Sequence, residues 1–361
     1  MQAAILDATG ADTVRVRDDV TTVEPGPREV TVRIRAGGIC HSDLSAMNGT
    51  LPQPVPAVLG HEAAGEIVAV GAAVTDLAAG DHVIVAWIPP CGACRSCLRG
   101  QPFLCTVHVK QALTRPRFVV GGRPAFGMAG CGTWAEEVVL PREGAVRIDP
   151  DVPFDVAALV GCGVMTGVGA VMNTAAVEPG ASVVVFGCGG VGISAIQAAR
   201  LSGASVIVGV DPVPAKHALA RRFGATAATS PDHLPAVAAE LGAGKGFDYA
   251  FEVVGRPETV RAAWAAARRG GTVVIVGAGS PDQQVSFSNA ELLFDSKRLL
   301  PSLYGSADVR RDYDRVLSLW RAGHLDLAGM ISRRLTLAEV NDGLRALRGG
   351  EVIRQLIVFE D

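Results

Sequence analysis

Apolar and polar residues alternate with period two over residues 30–36 (VTVRIRA), which predicts a strand with one buried face. The glycine-bounded run at 65–71 (GEIVAVG) and the run at 81–86 (DHVIVA) predict two more strands. Many Gly and Pro turns separate these pieces, as in a β-rich, barrel-like domain. Near residue 160 the pattern changes. Short apolar runs at 182–186 (SVVVF), 205–210 (SVIVGV), 247–252 (FDYAFE) and 272–276 (TVVIV) read as buried strands. Helix-like stretches at 191–201, 214–223 and 262–268 fall between them, and this alternation predicts a doubly wound parallel sheet. After about Pro301 the rhythm stops. Helical stretches at 313–321 and 337–347 precede a last strand at 352–359, and the C-terminus is expected to return to the first domain. The expected division is 1–160, 161–301 and 302–361.

A chain of 361 residues, 49 % of them apolar, suits two domains with sizeable cores. Net charge is −3, from 33 Lys+Arg against 36 Asp+Glu, so no basic excess argues for nucleic acid or an anionic membrane surface. The N-terminus lacks the basic-then-apolar pattern of a secretory signal. Residues 156–177 are uncharged and long enough to span a bilayer, but they include four glycines, Cys162, Thr166 and Asn173. A buried helix leading into the second domain is the expectation. Eight cysteines without a signal peptide point to a reducing, cytoplasmic setting and to metal thiolates.

Gly187-Cys188-Gly189-Gly190-Val191-Gly192 is a G-x-G-x-x-G turn between a predicted strand and helix. Its glycines permit a tight turn and close approach to a pyrophosphate at the helix N-terminus. Asp211 ends the next strand, nineteen residues past Gly192, where a carboxylate can bind both ribose hydroxyls and repel a 2′-phosphate. This favours NAD over NADP, and Lys216 is a candidate further ribose contact.

Cys91, Cys94 and Cys97 lie at three-residue spacing, with Cys105 after seven more residues. Four thiolates so placed can close a tetrahedral structural zinc site. The acidic balance and three-plus-one spacing argue against a nucleic-acid-binding ribbon. Cys40, His61 and Cys162 form a second, dispersed set, as an open catalytic zinc site requires.

Gly60-His61-Glu62, then Gly65, Gly71 and Val74, resembles the signature of zinc-containing alcohol dehydrogenases of the medium-chain dehydrogenase/reductase superfamily. The resemblance runs from Cys40 to Arg354 in the family's order. It implies a GroES-like β-rich catalytic domain with a structural zinc lobe at about 91–105, and a doubly wound Rossmann coenzyme domain. It implies two zinc ions per chain, NAD, and hydride transfer with a small-molecule alcohol. By position it assigns Cys40, His61 and Cys162 to the catalytic zinc, and Glu62 as an alternative ligand during exchange. Asp43 would orient His61. Ser42 would carry the substrate proton, with Ser45 where many members have the next relay histidine. His41 and Arg354 would face the pyrophosphate, Thr166 would pack on the nicotinamide, and Val276 would line the cofactor site. Leu51 and Trp87 would wall the substrate pocket; Lys110, Phe118, Phe126, Met128 and Ala278 are further pocket candidates. These walls read as apolar and suit a primary or secondary alcohol with a hydrophobic body.

The glutathione-dependent formaldehyde branch carries acids near Leu51 and an arginine near Val109; this chain has Thr50-Leu51 and Val109-Lys110. That branch therefore ranks second, ahead of polyol and threonine dehydrogenases. A non-catalytic relative is the alternative of another class, and the intact ligand set argues against it. The family also implies a homodimer paired through a strand at 299–304, in which Pro301 is unusual because proline cannot donate to a sheet ladder.

Overall fold

The computed structural model describes residues 1–360. The chain divides into two compact units. The first contains Met1–Gly163, Asp308–Arg321 and the chain from Leu327 onward; the second contains Val164–Ala307 and Ala322–Asp326. The boundaries expected at 160/161 and 301/302 thus move a few residues downstream, and a short excursion at 322–326 was not expected. Its cause is local. The Asp326 N–H donates to Gln197 Oε1 at 2.8 Å and Arg200 donates to the His324 carbonyl at 2.8 Å, while Leu325 is buried.

In the first unit the expected β-rich architecture is present as two sheets. One is ordered Arg15–Arg17, Ala3–Leu6, Ala57–Val58, Arg123–Gly127, Phe118–Val120, Val20–Thr22. The other is ordered Ala145–Arg147, His82–Val85, Ala63–Val70, Glu29–Ile39, Arg354–Val358, Ile331–Leu335, with Glu137–Pro141 paired on Glu29–Ile39. Strand Glu29–Ile39 alternates apolar side chains into the core, including Val30, Val32 and Ile34, all fully buried. The returning strand Arg354–Val358 pairs antiparallel with its far end, Gln355 opposite Ile39, which brings Arg354 alongside residues 39–40.

In the second unit six strands pair in parallel, in the order Ala227–Thr229, Val206–Val210, Ser182–Phe186, Phe247–Glu252, Ala267–Ile275, Arg298–Pro301. The order reverses between Ser182–Phe186 and Phe247–Glu252, and such a reversal opens a crevice at the strands' carboxyl ends. The helix expected at 262–268 spans Pro257–Ala266 instead. Pro257 presets φ for its first turn, and Ala267 and Arg268 already belong to the next strand.

The apolar stretch Phe154–Ala175 is helical and mostly buried within the protein, as expected for a core helix. It is not uniform: π-helical turns at Val160–Val164 and Ala170–Ala175 flank an α-helical turn at Met165–Gly169.

Candidate metal and nucleotide sites

The dispersed trio is brought together within the first unit. Cys40 follows strand Glu29–Ile39 and caps helix His41–Asn48; His61 precedes strand Ala63–Val70; Cys162 lies in the π-helical turn Val160–Val164. Their ligand atoms all lie within 4.8 Å of one another, and His61 Nε2 is 3.2 Å from Cys162 Sγ. All three are buried. A set of two thiolates and one imidazole matches catalytic zinc and leaves a fourth position open.

Asp43 supports this set, as expected. It accepts the Cys40 N–H at 2.8 Å and the Gly60 N–H at 3.1 Å, and its Oδ1 faces His61 Nδ1 at 3.5 Å. That directs His61 Nε2 toward the thiolates. Burial alone pushes the His61 imidazole down, but the charge and hydrogen bonding of Asp43, then those of Cys40, raise it to about 10. The Cys162 thiol and His61 lower Cys40 well below an ordinary cysteine, while Cys162 is raised by the same contact and by burial.

Glu62 is fully buried beside the trio. Its Oε2 accepts the Gly163 N–H at 3.0 Å and its Oε1 accepts from Arg354. Burial pushes the Glu62 carboxyl up against the opposing pull of Arg354. Arg354, read from the sequence as a pyrophosphate contact, is 4 % exposed, and its guanidinium donates to Glu62. The pairing of its strand with Glu29–Ile39 dictates that position.

Cys91, Cys94, Cys97 and Cys105 also converge, with all four sulfurs within 4.8 Å. Cys91 and Cys97 Sγ are 4.0 Å apart, against ~3.8 Å for a tetrahedron with Zn–S bonds of ~2.3 Å. Peptide N–H groups point at the sulfurs: Cys91 N lies 3.4 Å from Cys105 Sγ and Cys94 N 3.3 Å from Cys91 Sγ. The Cys97 and Thr106 N–H groups lower the Cys94 thiol to about 6. These donors fit a structural zinc. Cys131 and Cys188 stand apart, and burial pushes each up to about 12, consistent with packing roles.

In the second unit the glycine turn lies between strand Ser182–Phe186 and helix Gly190–Leu201. Gly187 has φ +98°, and a Cβ on Gly192 would collide with the Gly187 carbonyl oxygen. At Gly189 a Cβ would meet nothing within 4 Å, which leaves the space a pyrophosphate needs. Val191 is half-buried on the first turn of that helix. Asp211 is 4 % exposed and accepts from Cys188 N and Val213 N, each at 2.9 Å. Lys216 Nζ is 3.5 Å away, and His217 Nε2 lies 2.7 Å from the Asp211 carbonyl oxygen. A carboxylate has about four acceptor positions, so Asp211 retains capacity for ribose hydroxyls. These residues fit a nicotinamide dinucleotide without a 2′-phosphate.

Sequence reading missed Glu252. Fully buried at the carboxyl end of strand Phe247–Glu252, it accepts from Val254 N, Gly255 N and Thr259 Oγ1 at 2.9, 2.8 and 2.6 Å. Its carbonyl takes the Val276 and Gly277 N–H groups, so it organises both loops at the crevice. An acid at the last position of a predicted strand was the available signal.

Among the remaining candidates, Ser42 Oγ lies 3.8 Å from Cys40 Sγ, and the Trp87 ring meets His61 edge-on with centroids 6.1 Å apart. Leu51 is half-buried and donates its N–H to the Ser45 carbonyl at 2.9 Å. Thr166 is half-buried and His41 exposed. Two pocket candidates are overturned: Phe118 is fully buried in one core cluster and Met128 is buried in another beside Trp134, because their backbone directs them inward. Lys110 and Ala278 are exposed and Phe126 is half-buried.

Two family models match, "Alcohol dehydrogenase GroES-like domain" over residues 26–150 and "Zinc-binding dehydrogenase" over residues 190–321. The chain is 40 % identical to "Putative alcohol dehydrogenase D" of Mycobacterium tuberculosis (strain ATCC 25618 / H37Rv) over 344 residues, covering 92 % of this chain and 93 % of that one. It is 35 % identical to "S-(hydroxymethyl)glutathione dehydrogenase" of Paracoccus denitrificans, covering 94 % and 95 %. The solved structure of benzyl alcohol dehydrogenase from Acinetobacter calcoaceticus is similar with a TM-score of 0.92 at 29 % identity, covering 99 % of each chain.

Proposed function

Because this chain belongs to the zinc-containing alcohol dehydrogenases of the medium-chain dehydrogenase/reductase superfamily, we propose that it oxidises primary or secondary alcohols with apolar bodies to aldehydes or ketones, and catalyses the reverse reduction. It is an oxidoreductase using zinc and NAD, with a GroES-like and a Rossmann-type domain. The convergence of Cys40, His61 and Cys162 carries the proposal.

When bound, zinc supplies a Lewis acid for the substrate oxygen and the nicotinamide supplies a hydride acceptor. Cys40, His61 and Cys162 would hold the metal, and Asp43 orients His61. Ser42, beside Cys40, would take the alcohol proton as it gives up its own hydroxyl proton. With Ser45 where many members have the relay histidine, that proton passes on to water. Arg354 pairs with Glu62 beside the trio and neutralises its charge. Asp211 and Lys216 bind the adenosine ribose, the turn from Gly187 to Gly192 receives the pyrophosphate, and Thr166 packs on the nicotinamide. Trp87 and Leu51 wall the alcohol.

The glutathione-adduct reading has one observation in its favour, the 35 % identity to a protein so named. Thr50-Leu51 and Val109-Lys110 lack the charges expected to grip that adduct. Eight free cysteines support a cytoplasmic location. The exposed apolar side chains Leu293, Phe294, Leu299 and Leu303, on and near the edge strand Arg298–Pro301, support a homodimer.

The test is absorbance at 340 nm with NAD or NADP across aliphatic, aromatic and terpenoid alcohols and formaldehyde with glutathione. Aromatic or aliphatic turnover is expected, and Cys40→Ala is expected to abolish it and lower zinc content from two to one per chain. Turnover confined to formaldehyde with glutathione would transfer the assignment to the second reading. No turnover with two zincs present would sink the proposal.

A further inference from the structure

Residues 304–306 pass through three consecutive left-handed conformations, at φ 52°, 66° and 51°. Glycine adopts this region freely, but Tyr304 and Ser306 are strained there, and such strain persists only where surrounding contacts impose it. One hydroxyl imposes much of it. Thr174, in the π-helical turn Ala170–Ala175, shares hydrogen bonds with Ser302 Oγ at 2.9 Å and Ser306 Oγ at 2.8 Å, so it clamps both ends of the turn. Asn173 Nδ2 donates to the Gly305 carbonyl at 3.3 Å.

The clamped turn packs backbone against backbone on the α-helical turn Met165–Gly169. A Cβ on Gly305 would lie 2.8 Å from Gly169 Cα and 3.0 Å from the Thr166 carbonyl oxygen; one on Gly169 would lie 2.7 Å from Gly305 Cα. Backbone in such contact cannot yield by rotating a side chain, so displacement of the strained turn passes directly to Thr166.

We infer that Thr174 is a positioning residue for the nicotinamide half of the cofactor, acting by holding the strained turn 304–306 against the backbone that carries Thr166. This rests on the reading that Thr166 packs on the nicotinamide. The adenosine half is bound by other residues, the glycine turn and Asp211, so the two halves are separable by experiment.

Calorimetric titration of the zinc-loaded enzyme with NADH and with ADP-ribose, which lacks the nicotinamide, makes that separation. Thr174→Val keeps the side-chain shape but strands buried Ser302, and is expected to weaken NADH by roughly tenfold while leaving ADP-ribose within about twofold. Thr174→Ser restores the hydroxyl and the affinity. Equal loss for both ligands, or no loss for either, would overturn the inference. Thr166→Ala separates it from the reading beneath. If Thr166→Ala leaves the NADH-to-ADP-ribose ratio unchanged, the placement of Thr166 fails and the inference falls with it. If it lowers the ratio while Thr174→Val does not, the inference alone fails. Should Thr174→Val not fold, Ser306→Ala, which opens one end of the clamp, carries the same expectation.

Discussion

Asp211 does two tasks with one carboxylate. Its oxygens tie down the Cys188 and Val213 N–H groups, which shapes the glycine turn, and its remaining lone pairs and negative charge are the proposed contact to the ribose. A 2′-phosphate about 4 Å away would cost about 4 kcal/mol at an effective dielectric of ~20. Asp211→Ser should lower kcat/KM for NAD by roughly 10–100-fold, the worth of hydrogen bonds to a charged group, and raise that for NADP. Steady-state kinetics with both cofactors checks this; an unchanged preference for NAD would remove Asp211 from the ribose site. The acid was legible because it ends a strand at a fixed distance from the fingerprint. Glu62 was legible from its signature, but its partner Arg354 was assigned elsewhere, because 292 residues separate the two and only strand pairing joins them.

Among elements, strand Glu29–Ile39 joins the first unit together and begins with a buried ion-pair cluster. Glu29 accepts from Arg117 at 2.6 Å and from Arg115 at 2.6 and 2.9 Å. Burial pushes the Glu29 carboxyl up, but the Arg117 hydrogen bond, the Gly26 N–H and the charges of both arginines pull it further down, below the ordinary glutamate range. A carboxyl lowered on folding stabilises fully above its unfolded pKa of about 4.3, and that stability is lost as pH falls through the folded value. Glu29→Gln should therefore cost about 2 kcal/mol at pH 7, with the gap closing below about pH 4. Melts from pH 3 to 7 check the sign; a constant gap would contradict it. The strands Ser182–Phe186 and Phe247–Glu252 matched their apolar runs residue for residue. Helix Thr106–Thr114 escaped because Val107, Val109 and Leu113 are exposed and set no helical period.

For the whole molecule, the edge strand Arg298–Pro301 leaves one border of the six-stranded sheet unpaired among the described residues. Pro301 sits at its last position, opposite Ile275, where a missing N–H interrupts the ladder least. Leu293 and Phe294 beside it are 65 % and 66 % exposed, unusual for large apolar side chains. Sedimentation velocity should show a dimer, and Phe294→Glu should shift it toward monomer at micromolar concentration. A wild-type monomer would refute the pairing, and a dimer indifferent to the change would place the interface elsewhere.

The sequence by itself determined what depends on local pattern: the two architectures, the glycine turn and its acid, the four-cysteine lobe, and the metal trio through its signature. Residue type and short spacing suffice there, because turns, strand alternation and thiolate spacing are short-range physics. The tertiary structure alone decided what depends on long-range pairing. It buried Phe118 and Met128 in cores, committed Arg354 to Glu62, set Glu252 under two loops and joined Thr174 to a strained turn 130 residues away. Those partners are chosen by sheet register and backbone packing, which no local run of residues encodes.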